Sequence, residues 1–187
     1  MNSKIMEAIE IAEELSDRLL IPRIDREDGV VLYTIISLLT VSSSKITALD
    51  AGAGVGYSTL WIISSLEDQC VDSVVYAVER DKLRYEYLKK ILGSLNTRCV
   101  EITPVNEDAT EFIKRYERQD LGFVFVDIDK GQYEYFFEEA RKRIIRGGVI
   151  AFHNAYVVHR FVSKLIDSGY KVVIVPTGEG ILLVRFT

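Results

Sequence analysis

Asp50-Ala51-Gly52-Ala53-Gly54-Val55-Gly56-Tyr57-Ser58 combines an acid, three alternating glycines and a hydroxyl residue. An apolar run, Ile46 to Leu49, leads in, and another, from Leu60, leads out. The pattern predicts a buried strand, a tight loop and a helix start. Glycine permits positive φ and lets a ligand come close to the backbone. The helix start offers unpaired N–H groups and the positive end of its dipole. Such a loop can hold a nucleotide-like ligand at the carboxyl edge of a parallel sheet. A glycine-rich turn that binds nothing is the alternative this stretch leaves open.

The dinucleotide fingerprint is G-x-G-x-x-G. Here the glycines are Gly52, Gly54 and Gly56, and Tyr57 stands where the third glycine belongs. An acid two residues before the first glycine suits a ligand with an ammonium group better than one with two phosphates. S-adenosylmethionine has that group and no phosphate. Four more polar residues close apolar runs: Glu79, Asp108, Asp127 and Asn154. In an open α/β sheet such ends share one rim, where ligands bind. Glu79, 23 residues after Gly56, can accept both ribose hydroxyls. Asp108 can accept from an adenine amino group, with the Ala109 N–H meeting a ring nitrogen. It fits a helix cap equally well. Ser58 can donate to a ligand carboxylate.

Positioning these residues takes a regular alternation of elements. Ser3 to Leu20 has helical spacing, interrupted by Pro22. Asp28-Gly29 reads as a turn, and Val30 to Leu39 as a second helix. Strands are expected at Ile46–Leu49, Ser73–Val78, Val100–Thr103, Phe123–Val126 and Val149–Phe152. Helices are expected from Ser58 to about Leu66, Asp81 to Leu92, Ala109 to Arg118, Tyr133 to Arg146 (stopped by Gly147-Gly148) and Val158 to Ser168. Near-continuous apolar strands alternating with helices predict a Rossmann-like, doubly wound α/β sheet, parallel and covered on both faces. Lys171–Val175 and Ile181–Arg185 are joined by five residues, too few for a parallel crossover. The seventh strand is therefore expected to be antiparallel. Without linkers or repeats, 1–187 reads as one domain, with N-terminal helices over 1–44 and the sheet core over 45–187.

Composition narrows the function classes. The chain has 187 residues, 48% hydrophobic and 27% charged, with net charge −5. That balance argues against non-specific nucleic-acid binding. No apolar run approaches a membrane span. Met1 to Leu20 lacks an apolar signal core, so a cytoplasmic protein is expected. Arg141-Lys142-Arg143 with Arg146 reads as a solvated helix face beside Glu138 and Glu139. Cys70 and Cys99 precede neighbouring strands. A disulfide between them is geometrically conceivable but disfavoured in a reducing cytosol. With 3 Gln, 4 Asn and 20 Ile, the chain is also compatible with a thermophile, where intracellular disulfides do occur.

Leu49 to Ser58 resembles the first motif of class I S-adenosylmethionine-dependent methyltransferases. Gly56-Tyr57-Ser58, Phe125-Val126-Asp127-Ile128-Asp129-Lys130, Tyr133, Gly147-Gly148-Val149-Ile150 and Pro176 to Val184 resemble, more narrowly, the catechol and caffeoyl-CoA type O-methyltransferases. The resemblance covers nearly the whole chain and implies the class I methyltransferase fold. It implies that Asp50, Gly52, Gly54, Gly56 and Ser58 hold the methionine end of the cofactor. Glu79 would take the ribose and Asp108-Ala109 the adenine, with Tyr57, Arg80 and Asp127 completing the cofactor set. Asp127 would also bind a divalent metal, and Lys130 would be the general base.

The chain departs from the family at the Asp-Asn pair that completes the metal site. Here the pair is His153-Asn154, so the candidate metal ligands are Asp127, His153 and Asn154. Imidazole shifts such a site toward transition metals. His153 could instead be the general base, or a strand-end residue bonded to a neighbour. The family's insertion after this pair is missing, since only Ala155 to Val157 precede the next helix. The acceptor is then larger, or a partner subunit in a homodimer completes the pocket. Tyr156, His159 and Phe161 are candidate walls. The function expected is O-methyl transfer to a small-molecule hydroxyl, with or without metal assistance. The rivals are a metal-independent methyltransferase acting on nitrogen or a macromolecule, an NAD-linked oxidoreductase, and a cofactor-binding protein without catalysis.

Overall fold

The computed structural model describes residues 3–187. Met1 and Asn2, which belong to the expected signal-free N-terminus, lie outside the described residues. The elements run α1 (Ser3–Leu19), α2 (Arg26–Thr40), β1 (Lys45–Ala51), α3 (Tyr57–Gln69), β2 (Asp72–Glu79), α4 (Lys82–Gly93), β3 (Val100–Asn106), α5 (Ala109–Arg115) and β4 (Leu121–Val126). Then come α6 (Tyr133–Ala140), β5 (Ile144–Phe152), α7 (His159–Asp167), β6 (Lys171–Val175) and β7 (Ile181–Arg185). No helix among the described residues is long and apolar enough to cross a membrane.

The seven strands form one sheet in the order β3-β2-β1-β4-β5-β7-β6. The first five pair in parallel, and β7 pairs antiparallel with both β5 and β6. The short connection does force the last strand to reverse. Alternate residues of each strand feed two cores. Ile46, Ala48, Val75, Phe123, Phe125 and Ala151 pack with residues of α1 to α4. Leu49, Val78, Val124, Val126, Ile150 and Phe152 pack with residues of α5 to α7. Strand order reverses between β1 and β4, which opens a crevice at their carboxyl ends.

The helix expected from Tyr133 to Arg146 ends at Ala140. Ile144 already pairs with Leu121, and the register shifts before Phe123 meets Val149. Gly147, at φ 84, sits inside this irregular strand, so the two glycines accommodate a bulge rather than stop a helix. Arg141 and Lys142 pair with Glu138 and Glu139, as a solvated face should. Arg143 does not fit that description: its guanidinium donates to the carbonyls of Tyr116 and Lys114, fastening the segment to the end of α5.

Asp28-Gly29 is not a turn but part of the first two turns of α2, which starts at N-cap Asp25. Asp28 reaches back to accept the Asp25 N–H at 3.1 Å. That is the helix-start arrangement of a capping box. Gly29 is needed for a different reason. A Cβ there would lie 2.3 Å from Trp61 Nε1 of α3. Gly29→Ala would gain about 1 kcal/mol of helix propensity but drives a methyl into a buried ring, for which overpacking costs about 1–3 kcal/mol or more. Thermal unfolding should therefore show a lower Tm for this variant, and an unchanged or raised Tm would refute the close contact.

Cys70 and Cys99 are joined as a disulfide, with Cα atoms 5.2 Å apart. The two precede β2 and β3, whose registers align Ser73 with Val100. Adjacency brought the two within bridging distance, as expected. Beside the bridge, the buried Glu67 carboxylate accepts the N–H groups of Arg98 at 2.9 Å and Cys99 at 3.0 Å.

Candidate active site

A cleft of about 240 Å³ runs along the carboxyl ends of β1, β2 and β4. Gly52, Gly54, Glu79, Arg80, Asp108, Ala109, Asp127 and Lys130 all line it. The loop closing its floor depends on glycine at two places. Gly52 has φ 92, and a Cβ there would lie 2.3 Å from the Asp127 carbonyl oxygen. Gly54 has φ 57, and a Cβ there would meet nothing within 4 Å, because it faces the open cleft. Gly56, the N-cap of α3, turns the chain at φ 104.

Glu79 holds this loop while facing the cleft. Its Oε2 accepts the Gly54 N–H at 2.9 Å, and its Oε1 accepts the Asp81 N–H at 2.7 Å. Each oxygen keeps a lone pair for a ligand hydroxyl. Asn106 donates to the Glu79 carbonyl at 2.8 Å, fixing the end of β2. Asp108 is both things the sequence allowed. Its Oδ1 caps α5 through the Thr110 N–H at 2.8 Å, while its Oδ2 lies 3.6 Å from Arg80 on the cleft wall. Burial pushes its carboxyl up, but the bonds from Thr110 and the Arg80 charge hold it below its ordinary value.

Two expected ligand contacts point elsewhere. Asp50 is fully buried and does not line the cleft. Its Oδ2 accepts from the Ser58 hydroxyl at 2.7 Å and the Thr59 hydroxyl at 2.5 Å. It pins the start of α3 to β1, and Ser58 has only its backbone N–H left to donate to a ligand. Burial raises the Asp50 carboxyl to about 6, with Asp127 and Glu79 adding to the rise against the two hydroxyl bonds. The Asp50 Oδ1 has no partner, so a nearby ammonium would favour its charged form. Tyr57 is also buried, its hydroxyl donating to Glu13 at 3.3 Å and its ring under Arg23. It braces the loop against α1 and shares with Ser58, Gly52 and Asp127 a small crevice beside the cleft.

Asp127, Lys130 and His153 do come together. Lys130 Nζ donates to Asp127 Oδ1 at 2.7 Å and to the Ile128 carbonyl at 3.2 Å. His153 Nδ1 faces the same Oδ1 at 3.5 Å, an ion-pair distance without full hydrogen-bond alignment. His153 Nε2 lies 3.2 Å from Asp28 Oδ2. Burial pushes the ring's pKa down, but Asp127 and Asp28 more than reverse this and hold it at about 9. The carboxyls of Asp127 and Asp28 lie below their ordinary values in spite of burial, because the His153 ring lies against both and Lys130 also pairs with Asp127. Tyr133 donates to the carbonyls of Val126 at 3.2 Å and His153 at 3.1 Å, tying the ends of β4 and β5.

The expected metal ligands do not fit a metal. Both ring nitrogens of His153 face carboxylates, Asp127 is paired with Lys130, and the Asn154 amide donates to Glu179 in the β6–β7 turn. No ring lone pair or free carboxylate pair is presented to an ion. Among the described residues, no group of three His, Cys, Asp or Glu side chains could hold one. Of the expected walls, Phe161 is core, stacked edge-on to Phe152. Tyr156 and His159 are exposed and line no part of the cleft. Asp28 and Glu179 are site residues that the sequence reading missed. Asp25-x-x-Asp28, at capping-box spacing, was a signal for the helix start and not for the contact with His153.

A family model described as a methyltransferase domain matches residues 49–155. A caffeoyl-CoA O-methyltransferase from Populus kitakamiensis is 29% identical over 136 residues, covering 70% of this chain and 54% of that protein. The chain spans about half the length of the first curated relatives it matches. A methyltransferase from Geobacter sulfurreducens superposes with TM-score 0.81 at 19% identity, over 97% of this chain and 89% of that one. The O-methyltransferase TomG from Streptomyces achromogenes, solved with S-adenosylmethionine, gives 0.76 at 19%, over 97% of this chain and 90% of that one.

Proposed function

Because this chain belongs to the S-adenosylmethionine-dependent methyltransferases of the caffeoyl-CoA O-methyltransferase-like family, we propose that it transfers a methyl group from S-adenosylmethionine to a hydroxyl oxygen of a small molecule. The observation that carries the reading is the row of strand-end residues on one cleft, with Glu79 and Asp108 at one side and Asp127 and Lys130 at the other. Glu79 is placed to accept from a ribose. Asp108 and Ala109 border the position for an adenine. Gly54 leaves the space a ligand needs, and the Ser58 N–H at the start of α3 suits a carboxylate.

The cofactor, when bound, supplies a methyl group already activated on a sulfonium. The protein's task is then placement of the acceptor oxygen in line with it. Lys130 stands on the half-exposed side of its pair with Asp127. It is placed to hold the acceptor oxygen and to stabilise charge that develops as the hydroxyl loses its proton to solvent. His153, protonated and closed in by carboxylates, is a positioning residue for Asp127 and not a base.

Calorimetric titration tests the reading. S-adenosylmethionine should bind and NAD should not, and Glu79→Ala should weaken binding at least about tenfold through lost charge-assisted bonds. Binding of NAD without S-adenosylmethionine would overturn it.

A further inference from the structure

The His153 ring lies between acids from distant parts of the chain. Asp28 Oδ2, from α2, is 3.2 Å from Nε2, and Asp127 Oδ1, beyond β4, is 3.5 Å from Nδ1. Glu179 Oε2, from the β6–β7 turn, is 3.7 Å from Nε2. The His153 and Asp28 side chains are only 5% and 1% exposed. A neutral imidazole has one N–H and one lone pair, so it can serve one flanking carboxylate and must turn a lone pair on the other. The doubly protonated ring serves both.

Carboxylates converging on a compact buried cation are what an oxygen-ligand site offers a divalent ion. Here a side chain already supplies that cation. Lys130, 2.7 Å from Asp127, supplies a second. Two cations, His153 and Lys130, thus already stand among Asp28, Asp127 and Glu179, and an added ion would meet both at short range. The remaining ligand of the expected set, Asn154, donates its amide N–H to Glu179, so only its Oδ1 could serve an ion, and one amide oxygen does not make a site.

Resting on the methyltransferase reading above, we propose that the His153 ring, clamped by Asp28 and Asp127, takes the place of a divalent cation, and that this chain orients its acceptor oxygen through Lys130 without a metal. Asp28 is the residue that makes the exchange workable, because it satisfies the ring nitrogen turned away from Asp127. The acceptor then meets an ammonium with a directed N–H instead of an ion with open coordination positions. One oxygen suffices to bind it, so a vicinal pair of hydroxyls is not required.

Manganese titration followed by the electron paramagnetic resonance signal of the free ion tests this on the full chain saturated with S-adenosylhomocysteine. The wild-type protein should take up no Mn²⁺ that depends on Asp127. His153→Asp should gain one Mn²⁺ per chain, because the ring is replaced by an oxygen ligand beside Asp127 and Asn154. Stoichiometric uptake by the wild type that Asp127→Asn abolishes overturns the proposal. So does a His153→Asp protein that folds, binds S-adenosylhomocysteine and takes up no Mn²⁺. If His153→Asp fails to fold, the wild-type and Asp127→Asn titrations still decide. Failure to bind S-adenosylhomocysteine at the outset would count against the methyltransferase reading, and it is measured before any metal is added.

Discussion

Asp28→Asn should lower the unfolding free energy by about 3–5 kcal/mol at pH 7, the range for breaking a buried ion pair from one side. The carboxylate removed is buried beside His153 Nε2, and the buried ring nitrogen is left with only its longer contact to Glu179. The pH dependence carries the sign. His153 is held at about 9 against an ordinary 6.5. A folded-state value above the unfolded one gives stability that is fully present below about 6.5 and is lost as pH rises through about 9. That gap corresponds to about 3 kcal/mol. Asp28 lies below its ordinary 3.8, so its contribution is present above that value and is lost as pH falls through the folded-state value. The difference between wild type and variant in urea unfolding should therefore be greatest between these limits and should shrink on the alkaline side. A constant difference across the range, or one under about 1 kcal/mol at pH 7, would refute the ion pair.

Replacing both Cys70 and Cys99 by Ser should cost about 3.5 kcal/mol, the loop-closure value for the sequence separation of 29. Reductant should destabilise the wild type by a similar amount and leave the double variant unchanged. Cofactor affinity should stay within about twofold. The bridge sits past the carboxyl end of α3, whose 13 residues put it about 20 Å from the glycine loop. The Glu67 bonds to Arg98 and Cys99 hold the same junction without the bridge. A loss below about 1 kcal/mol would mean that these contacts already constrain the unfolded chain.

The sheet was legible because each buried strand is a short apolar run ending in one polar residue, and β7's direction because five connecting residues cannot cross a sheet. The cleft was legible as residue types: Glu79, Asp108, Asp127 and Lys130 do share one wall. What stayed hidden is orientation. Nothing local in the sequence says that Asp50 turns to Ser58 and Thr59, or Tyr57 to Glu13, since both are settled by packing against other elements. The end of α6 was misread because Ile144-Ile145 suits helix or strand alike, and Gly147-Gly148 serves a bulge as well as a stop. Asp28 was lost because Asp-Gly is a strong turn signal and its partner lies 125 residues away.

That separation also sets an order of events in time. At about 5–20 residues per second of synthesis, Asp28 is made roughly 6–25 s before His153. Through that interval α1 and α2 can settle on α3, whose residues follow closely, but the acid has no ring to meet. The clamp closes only after β5 has joined the sheet, so it belongs to the last steps of assembly. Contacts absent from the transition state slow unfolding without speeding folding. The Asp28–His153 pair thus acts as a latch: its worth lies in how long the finished protein stays closed.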